Sequence, residues 1–162
     1  MENHKIILNE IIQKCSDKNL LITSVESCTG GLISSAITDI PGSSKVFDKG
    51  LVTYSNYSKI KLLDVPEELI IKYGAVSKEV ITKMAVNPVI QAKQRNQITI
   101  ATSGVAGPDK SEKKPVGLIW LATYRCDSLL IKKIEFGNLD RTIIRKKTVL
   151  EALKLLKTNL TN

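Results

Sequence analysis

The apolar and polar positions of this chain predict helices and strands that follow one another in alternation. Five apolar residues of the segment 3–16 fall on one stripe of a helix: Ile6, Ile7, Ile11, Ile12 and Cys15. Residues 20–26, LLITSVE, form a short run rich in β-branched side chains, which indicates a largely buried strand. The following LISSAITDI predicts a second helix, which ends before a Pro-Gly pair.

The middle of the chain continues this pattern. KGLVTYS, residues 49–55, predicts a second strand, and NYSKIKLLDV returns to helical spacing with Asn56 as a candidate N-cap. PEELIIKYG predicts a short helix that has Pro66 at its first position. A longer helix is predicted from residue 77 to about residue 93. Pro88 lies inside it, and we expect this proline to kink the helix or split it in two.

The last third of the chain predicts the rest of a sheet. QITIATSGVAGP, residues 97–108, indicates a third strand that runs into a loop of small residues. VGLIWLATY and SLLIKKIEF lie on either side of a turn-length RCD and predict an antiparallel hairpin. Helical periodicity returns over about residues 140–158. We therefore expect residues 1–162 to form a single α/β domain, a three-layer sandwich with a mixed β-sheet flanked by helices.

Composition and length agree with this fold class. A chain of 162 residues is long enough to bury a core of its own, and its 43% hydrophobic content is that of a globular protein. The N-terminal segment does not resemble a signal peptide, so a cytoplasmic location is expected. Cys15, Cys28 and Cys126 are far apart and form no C-x-x-C pair, which argues against a zinc cluster or a disulfide framework.

The net charge of +8 raises the hypothesis of nucleic-acid binding through phosphate neutralisation. Twenty of the 24 basic residues are lysines, a bias that an AT-rich genome would also produce. Aromatic residues make up only 4% of the chain, which leaves few rings to stack on bases. Nucleic acid is therefore not favoured as a partner, whereas anionic small molecules are.

Small-residue loops at strand ends are the candidate site. Two predicted strands end in SCTGG and TSGVAGP, and a third ends in TYSN. In open α/β sheets, ligands bind beyond the carboxyl ends of the strands, so the three loops could share one pocket. Each loop taken alone is better explained as a tight turn, in which glycine supplies a positive φ and serine or threonine caps a helix.

Within SCTGG, Ser27 has a position that suits a nucleophile whose oxyanion is held by nearby amides, although it also suits an ordinary N-cap. The sole histidine, His4, lies in the first predicted helical turn, which excludes a Ser-His-Asp arrangement within the chain. A desolvated lysine could replace histidine as the base. Lys59 follows Tyr54 by five residues; considered alone, Lys59 would be an ordinary exposed lysine on a helix.

Four long motifs resemble, in order and spacing, the CinA C-terminal domain family of nicotinamide-nucleotide amidases: VESCTGGLISSAITDIPGSS, GLVTYSNYSKIKLLDV, YGAVSKEVITKMA and TSGVAGPDKSEKKPVGLIWLA. The resemblance implies hydrolysis of the carboxamide of nicotinamide mononucleotide, giving nicotinate mononucleotide and ammonia. It implies Ser27 as nucleophile, Lys59 as its base and Tyr54 as a polarising or relaying group, without metal or cofactor. It also implies a homodimer of the stand-alone bacterial form, although some relatives carry the domain behind a larger N-terminal domain.

The residues expected around the substrate lie in the same loops and in the last helix: Cys28, Thr29, Gly30, Gly31, Ser103, Gly104, Ala106, Gly107, Arg141 and Arg145. The two arginines stand at i and i+4, so either could hold the substrate phosphate, or both could form a solvated face. Cys28 is expected to act through packing or its backbone amide.

The chain departs from the family pattern at two positions. Leu139 replaces the glycine of a GDR motif, and Pro88 interrupts a helix that is continuous in relatives. An alternative function uses the same loops and arginines, namely a module that binds a nucleotide or phosphate ligand without hydrolysing it.

Overall fold

The computed structural model describes residues 2–93 and 96–161 and shows a mixed five-stranded sheet flanked by helices, as predicted. The elements follow in the order α1 (Glu2–Asp17), β1 (Leu21–Glu26), α2 (Leu32–Thr38), β2 (Phe47–Val52), α3 (Asn56–Leu63), α4 (Glu67–Tyr73), α5 (Lys78–Gln91), β3 (Gln97–Gly104), β4 (Leu118–Arg125), β5 (Ser128–Glu135) and α6 (Arg141–Thr161), with a 3₁₀ turn at Ser43–Lys45. Within the described ranges, none of the helices combines the length and the apolar character needed to span a bilayer.

The strand order is β2-β1-β3-β4-β5, and the direction of the connections changes beside β1. β1 runs parallel to both β2 and β3. β4 pairs antiparallel with β3, and β5 pairs antiparallel with β4. The chain leaves β1 on one side through α2 to reach β2, then crosses back through α3–α5 to reach β3. The carboxyl ends of β1 and β3 therefore meet at a topological switch point, where ligands of α/β proteins bind.

Apolar side chains fill both faces of the sheet. On one face Ile22 and Ile100 pack in a cluster with residues of α1, α2 and α6, and on the other Val25 and Ala101 pack with residues of α3–α5. Because successive residues of a strand point to opposite faces, both faces of β1 and β3 are buried under helices. This explains why the two strands are almost continuously apolar or small.

Two helix starts differ from the sequence prediction by one residue. The N-cap of α3 is Ser55, whose Oγ accepts the Ser58 N–H at 3.0 Å, so Asn56 is the first helical residue and not the cap. Pro66 is the N-cap of α4 and not its first residue. Serine and asparagine are comparable caps, and the sequence offered both side by side.

Two elements differ in extent. Pro88 does not split α5, which continues as one helix; the proline is buried, and this packing offsets the hydrogen bond that its missing N–H removes. β2 ends at Val52 and not at residue 55. Pairing with β1 stops at Val52, and the carbonyls of Thr53 and Tyr54 beyond it accept hydrogen bonds from Lys59 Nζ.

Gly50 marks a close contact between β2 and the elements beside it. The hydroxyls of Ser24 and Ser34 bond to each other at 2.7 Å next to this glycine. A Cβ at position 50 would collide with Ser34 Oγ and lie 3.0 Å from Ser24 Oγ. Any side chain at this position would therefore push apart β1, β2 and α2.

We predict that Gly50→Ala lowers the free energy of unfolding by about 1–3 kcal/mol, because the added methyl overpacks this contact. Urea denaturation of the single variant, of Ser34→Ala and of the double variant measures the effect. The double variant should lose less stability than the sum of the single variants, since removing Ser34 Oγ relieves most of the collision. Strictly additive losses would show that the contact is not the cause.

Candidate active site

Ser27 and Lys59, far apart in the sequence, lie in hydrogen-bond contact. Ser27 follows β1 directly and sits on the sheet face covered by α3, where Lys59 Nζ lies 3.2 Å from Ser27 Oγ. The same Nζ donates to the Thr53 carbonyl at 2.8 Å and to the Tyr54 carbonyl at 3.2 Å. Lys59 is only 1% exposed and Ser27 8%. The arrangement is that of a nucleophile and an adjacent base.

Burial changes the acid–base properties of Lys59. Desolvation lowers the pKa of its ammonium group to about 8, an effect that the negative charge of Glu112 partly opposes. The cause is that a buried amine loses the hydration that stabilises its charged form. Roughly a tenth of the amine is therefore neutral at pH 7 and about half at pH 8, which supplies the form that a general base requires.

The side chain of Glu26 shapes the turn that carries Ser27. This fully buried carboxylate accepts hydrogen bonds from the N–H groups of Gly31 (2.9 Å), Ile33 (3.0 Å) and Ser34 (2.8 Å), and from Ser34 Oγ (2.7 Å). It caps the N-terminus of α2, where Gly31 has no side chain to do so. Sequence reasoning missed it; the available signal was a single charged residue at the end of a strand that was predicted to be largely buried.

Arg145 holds the same turn from α6. Its Nε donates to the Cys28 carbonyl at 3.0 Å and its Nη2 donates to the Thr29 carbonyl at 2.9 Å. Thr29 is fixed further by a 2.9 Å bond between its Oγ1 and Thr102 Oγ1. The Cys28 side chain packs in the apolar core, and burial raises the pKa of its thiol to about 12.

Arg141, one turn before Arg145, lies at the mouth of the site. Its Nη1 donates to the Gly107 carbonyl at 2.5 Å and its Nη2 donates to the Tyr54 hydroxyl at 2.9 Å. Tyr54 is 60% exposed, so its hydroxyl points to this rim. The Tyr54 hydroxyl thus contacts Arg141, and it is the backbone carbonyl of Tyr54 that contacts Lys59. The polarising or relaying role expected of Tyr54 stays a prediction.

A pocket of about 210 Å³ opens over the serine and the lysine. Of the residues expected from sequence, nine line it: Ser27, Cys28, Tyr54, Lys59, Ser103, Gly104, Ala106, Gly107 and Arg141. The other four lie behind it: Thr29, Gly30 and Gly31 belong to the turn after β1, and Arg145 of α6 donates to that turn. Seven lining residues were not expected: Asn56, Ala75, Val76, Val105, Asp109, Ser111 and Glu112. Among the described residues, no three His, Cys, Asp or Glu side chains converge as metal ligands would.

Comparisons with known proteins identify close relatives. A family model described as the CinA C-terminal domain matches residues 4–160. A CinA-like protein of Colwellia psychrerythraea is 47% identical over 126 residues, which are 77% of this chain and 29% of that protein. A CinA-like protein of Dictyoglomus thermophilum is 40% identical over 153 residues, 94% of this chain and 36% of that protein. The chain thus spans about a third of the length of these curated relatives.

Solved structures share the whole fold. The competence/damage inducible protein CihA from Agrobacterium tumefaciens superposes with a TM-score of 0.91 at 38% identity, covering 98% of this chain and 96% of that one. The competence damage-inducible protein A (ComA) from Klebsiella pneumoniae gives a TM-score of 0.90 at 29% identity, with 98% of each chain covered. These names describe competence and damage and state no reaction.

The two arginines should respond differently to truncation. We predict that Arg145→Ala lowers the free energy of unfolding by about 1–3 kcal/mol, because two carbonyls of the Ser27 turn lose their donor. Arg141→Ala should cost less than about 1 kcal/mol, since its side chain and partners are exposed. Urea denaturation of both variants tests this, and equal losses would contradict a structural role that belongs to Arg145 alone.

Proposed function

The chain belongs to the CinA C-terminal domain family, and on that premise we propose that it is an amidohydrolase that converts nicotinamide mononucleotide into nicotinate mononucleotide and ammonia. The observation that carries the proposal is the 3.2 Å contact between Lys59 Nζ and Ser27 Oγ at the base of a pocket. A module that only binds a ligand has no need of a serine beside a lysine whose pKa is lowered.

The acylation step uses both side chains. In its neutral form, Lys59 takes the proton from Ser27 Oγ as the oxygen attacks the carboxamide carbon. The tetrahedral intermediate then collapses, the C–N bond breaks, and Lys59 returns its proton to the departing nitrogen, which leaves as ammonia. A water molecule, activated by the same amine, attacks the resulting ester and releases the carboxylate and free Ser27.

Cys28 is not the nucleophile in this proposal, although a thiol is intrinsically the more reactive group. Its side chain packs among apolar residues, and a thiol with a pKa of about 12 has almost no thiolate at neutral pH. Both residues line the pocket, but it is Ser27 whose Oγ contacts the base.

Arg141 is the arginine that we assign to the substrate phosphate. It lines the pocket mouth, whereas the Nε and Nη2 groups of Arg145 are already used by backbone carbonyls. A guanidinium group binds phosphate through two parallel hydrogen bonds, so Arg141 would exchange its contacts with Tyr54 and Gly107 for the ligand. Tyr54 thus holds Arg141 at the rim of the pocket until the ligand binds.

The alternative of a nucleotide-binding module without hydrolysis would show itself as a thermal shift with nicotinamide mononucleotide and no release of ammonia. The homodimer, the cytoplasmic location and the independence from metal or cofactor also stay predictions. Ammonia release in the presence of a chelator is the control for metal.

We predict that Ser27→Ala lowers ammonia release from nicotinamide mononucleotide by at least about 10³-fold, because the attacking oxygen is removed. Lys59→Met should cause a loss of similar size, since a thioether cannot take the proton. Lys61→Met is the matched control, because Lys61 lies on the same helix but outside the pocket; it should keep full activity. Near-normal turnover by either Ser27→Ala or Lys59→Met, with circular dichroism showing an intact fold, would refute the mechanism.

A further inference from the structure

The loop that follows β3 brings an acidic side chain into the pocket. Glu112 lines the cavity together with Ser27 and Lys59. Its Oε2 accepts the Ala75 N–H at 2.7 Å, which fixes the carboxylate against the segment between α4 and α5. The carboxylate thus has a defined place on the wall of the pocket, although the residue itself is exposed.

The backbone around Glu112 is shaped to hold it there. Gly74 has a φ of +82°, and a Cβ at this position would lie 2.6 Å from Glu112 Oε2, so a larger residue would displace the carboxylate from this place. Glu112 and Lys113 have φ values of +51° and +62° and are the central residues of a tight turn that Ser111 and Lys114 close by pairing. Such a turn requires a positive φ at both central positions, so the turn fixes where the Glu112 side chain starts.

The charge of Glu112 reaches the reacting atoms. Its negative charge acts to raise the pKa of Lys59, against the larger effect of desolvation. A carboxamide carbon about to be attacked lies roughly 3–3.5 Å from the serine oxygen. The ring that bears this carboxamide therefore lies in the same field. Within residues 2–93 and 96–161, Glu112 takes part in none of the ion pairs found, although the Lys114 side chain also lies beside Gly74.

We propose that Glu112 is a specificity-determining residue that selects carboxamides on a positively charged ring, such as an N-substituted pyridinium, over neutral-ring carboxamides of the same shape. The inference rests on the proposed function, because it takes the substrate amide to lie at Ser27. Asp109 lines the same pocket and adds a second negative charge on this loop. The carboxylates of Glu112 and Asp109 would attract the cationic ring of the substrate, and Arg141 at the mouth of the pocket would bind its phosphate.

The test compares two ligands that differ in ring charge. Nicotinamide mononucleotide has a cationic ring, and its 1,4-dihydro form has a neutral ring with the same ribose and phosphate. Calorimetry at about pH 9, above the pKa of Lys59, gives the Kd of each for the Ser27→Ala protein, which cannot turn either ligand over. The same measurement is made with Glu112→Gln added, and with Glu68→Gln added as the control, since Glu68 is exposed and lies outside the pocket.

We expect Glu112→Gln to weaken binding of the cationic ligand roughly three- to tenfold and to leave the Kd of the neutral ligand within about twofold. Glu68→Gln should change neither Kd.

Glutamine keeps an oxygen that can accept the Ala75 N–H. Equal weakening of both ligands would therefore assign Glu112 a purely structural role and overturn the inference, and so would the absence of any change in either Kd. If the two Kd values separate as expected but the wild-type protein releases no ammonia, the proposed hydrolysis fails and the charge selection stands. If neither ligand binds, both proposals fail.

Discussion

The burial of Lys59 is the constraint on which the site depends. Lys59 is only 1% exposed, and this burial lowers the pKa of its ammonium group below the usual value. In place of water, the ammonium group contacts two backbone carbonyls and the Ser27 hydroxyl. Those carbonyls belong to the residues that follow β2, so the strand must end early to provide them. The cap at Ser55 then starts α3 one turn before Lys59 and directs the side chain back under the sheet edge.

Successive side chains at the end of β1 point to opposite faces of the sheet, which places a structural residue on one face and the proposed nucleophile on the other. Glu26 points to the face of α2, where its carboxylate takes four hydrogen bonds, and Ser27 points to the face of α3, where it meets the base. Glu26 thus stabilises the start of α2, while its neighbour Ser27 contacts Lys59 on the other side of the sheet. Arg145 closes the turn from a third direction, through the carbonyls that follow Ser27. A nucleophile held from several sides loses little freedom when the substrate binds.

The sequence predicted much of the fold and of the candidate site, and its errors and omissions have physical causes. Periodicity predicted the sheet between helices, and the resemblance placed Ser27 and Lys59 together, as the structure has them. Helix caps were wrong by one residue at Asn56 and Pro66, because local preferences there are nearly equal. The roles of Arg145 and Glu112 were out of reach, since they depend on contacts between residues far apart in the sequence that no local pattern encodes. Glu26 contacts residues only five to eight positions away, so its role was missed although a local signal was present.

The central claim is that neutral Lys59 acts as the base for Ser27, and the pH dependence of kcat/KM for ammonia release tests it most directly. This profile reports the pKa values of groups in the free enzyme. Because burial lowers the pKa of Lys59 to about 8, the rate should rise with pH through a single inflection near 8 and then level off, as the amine loses its proton. A profile that stays flat from about pH 6 to 9, or that falls as pH rises, would contradict the account.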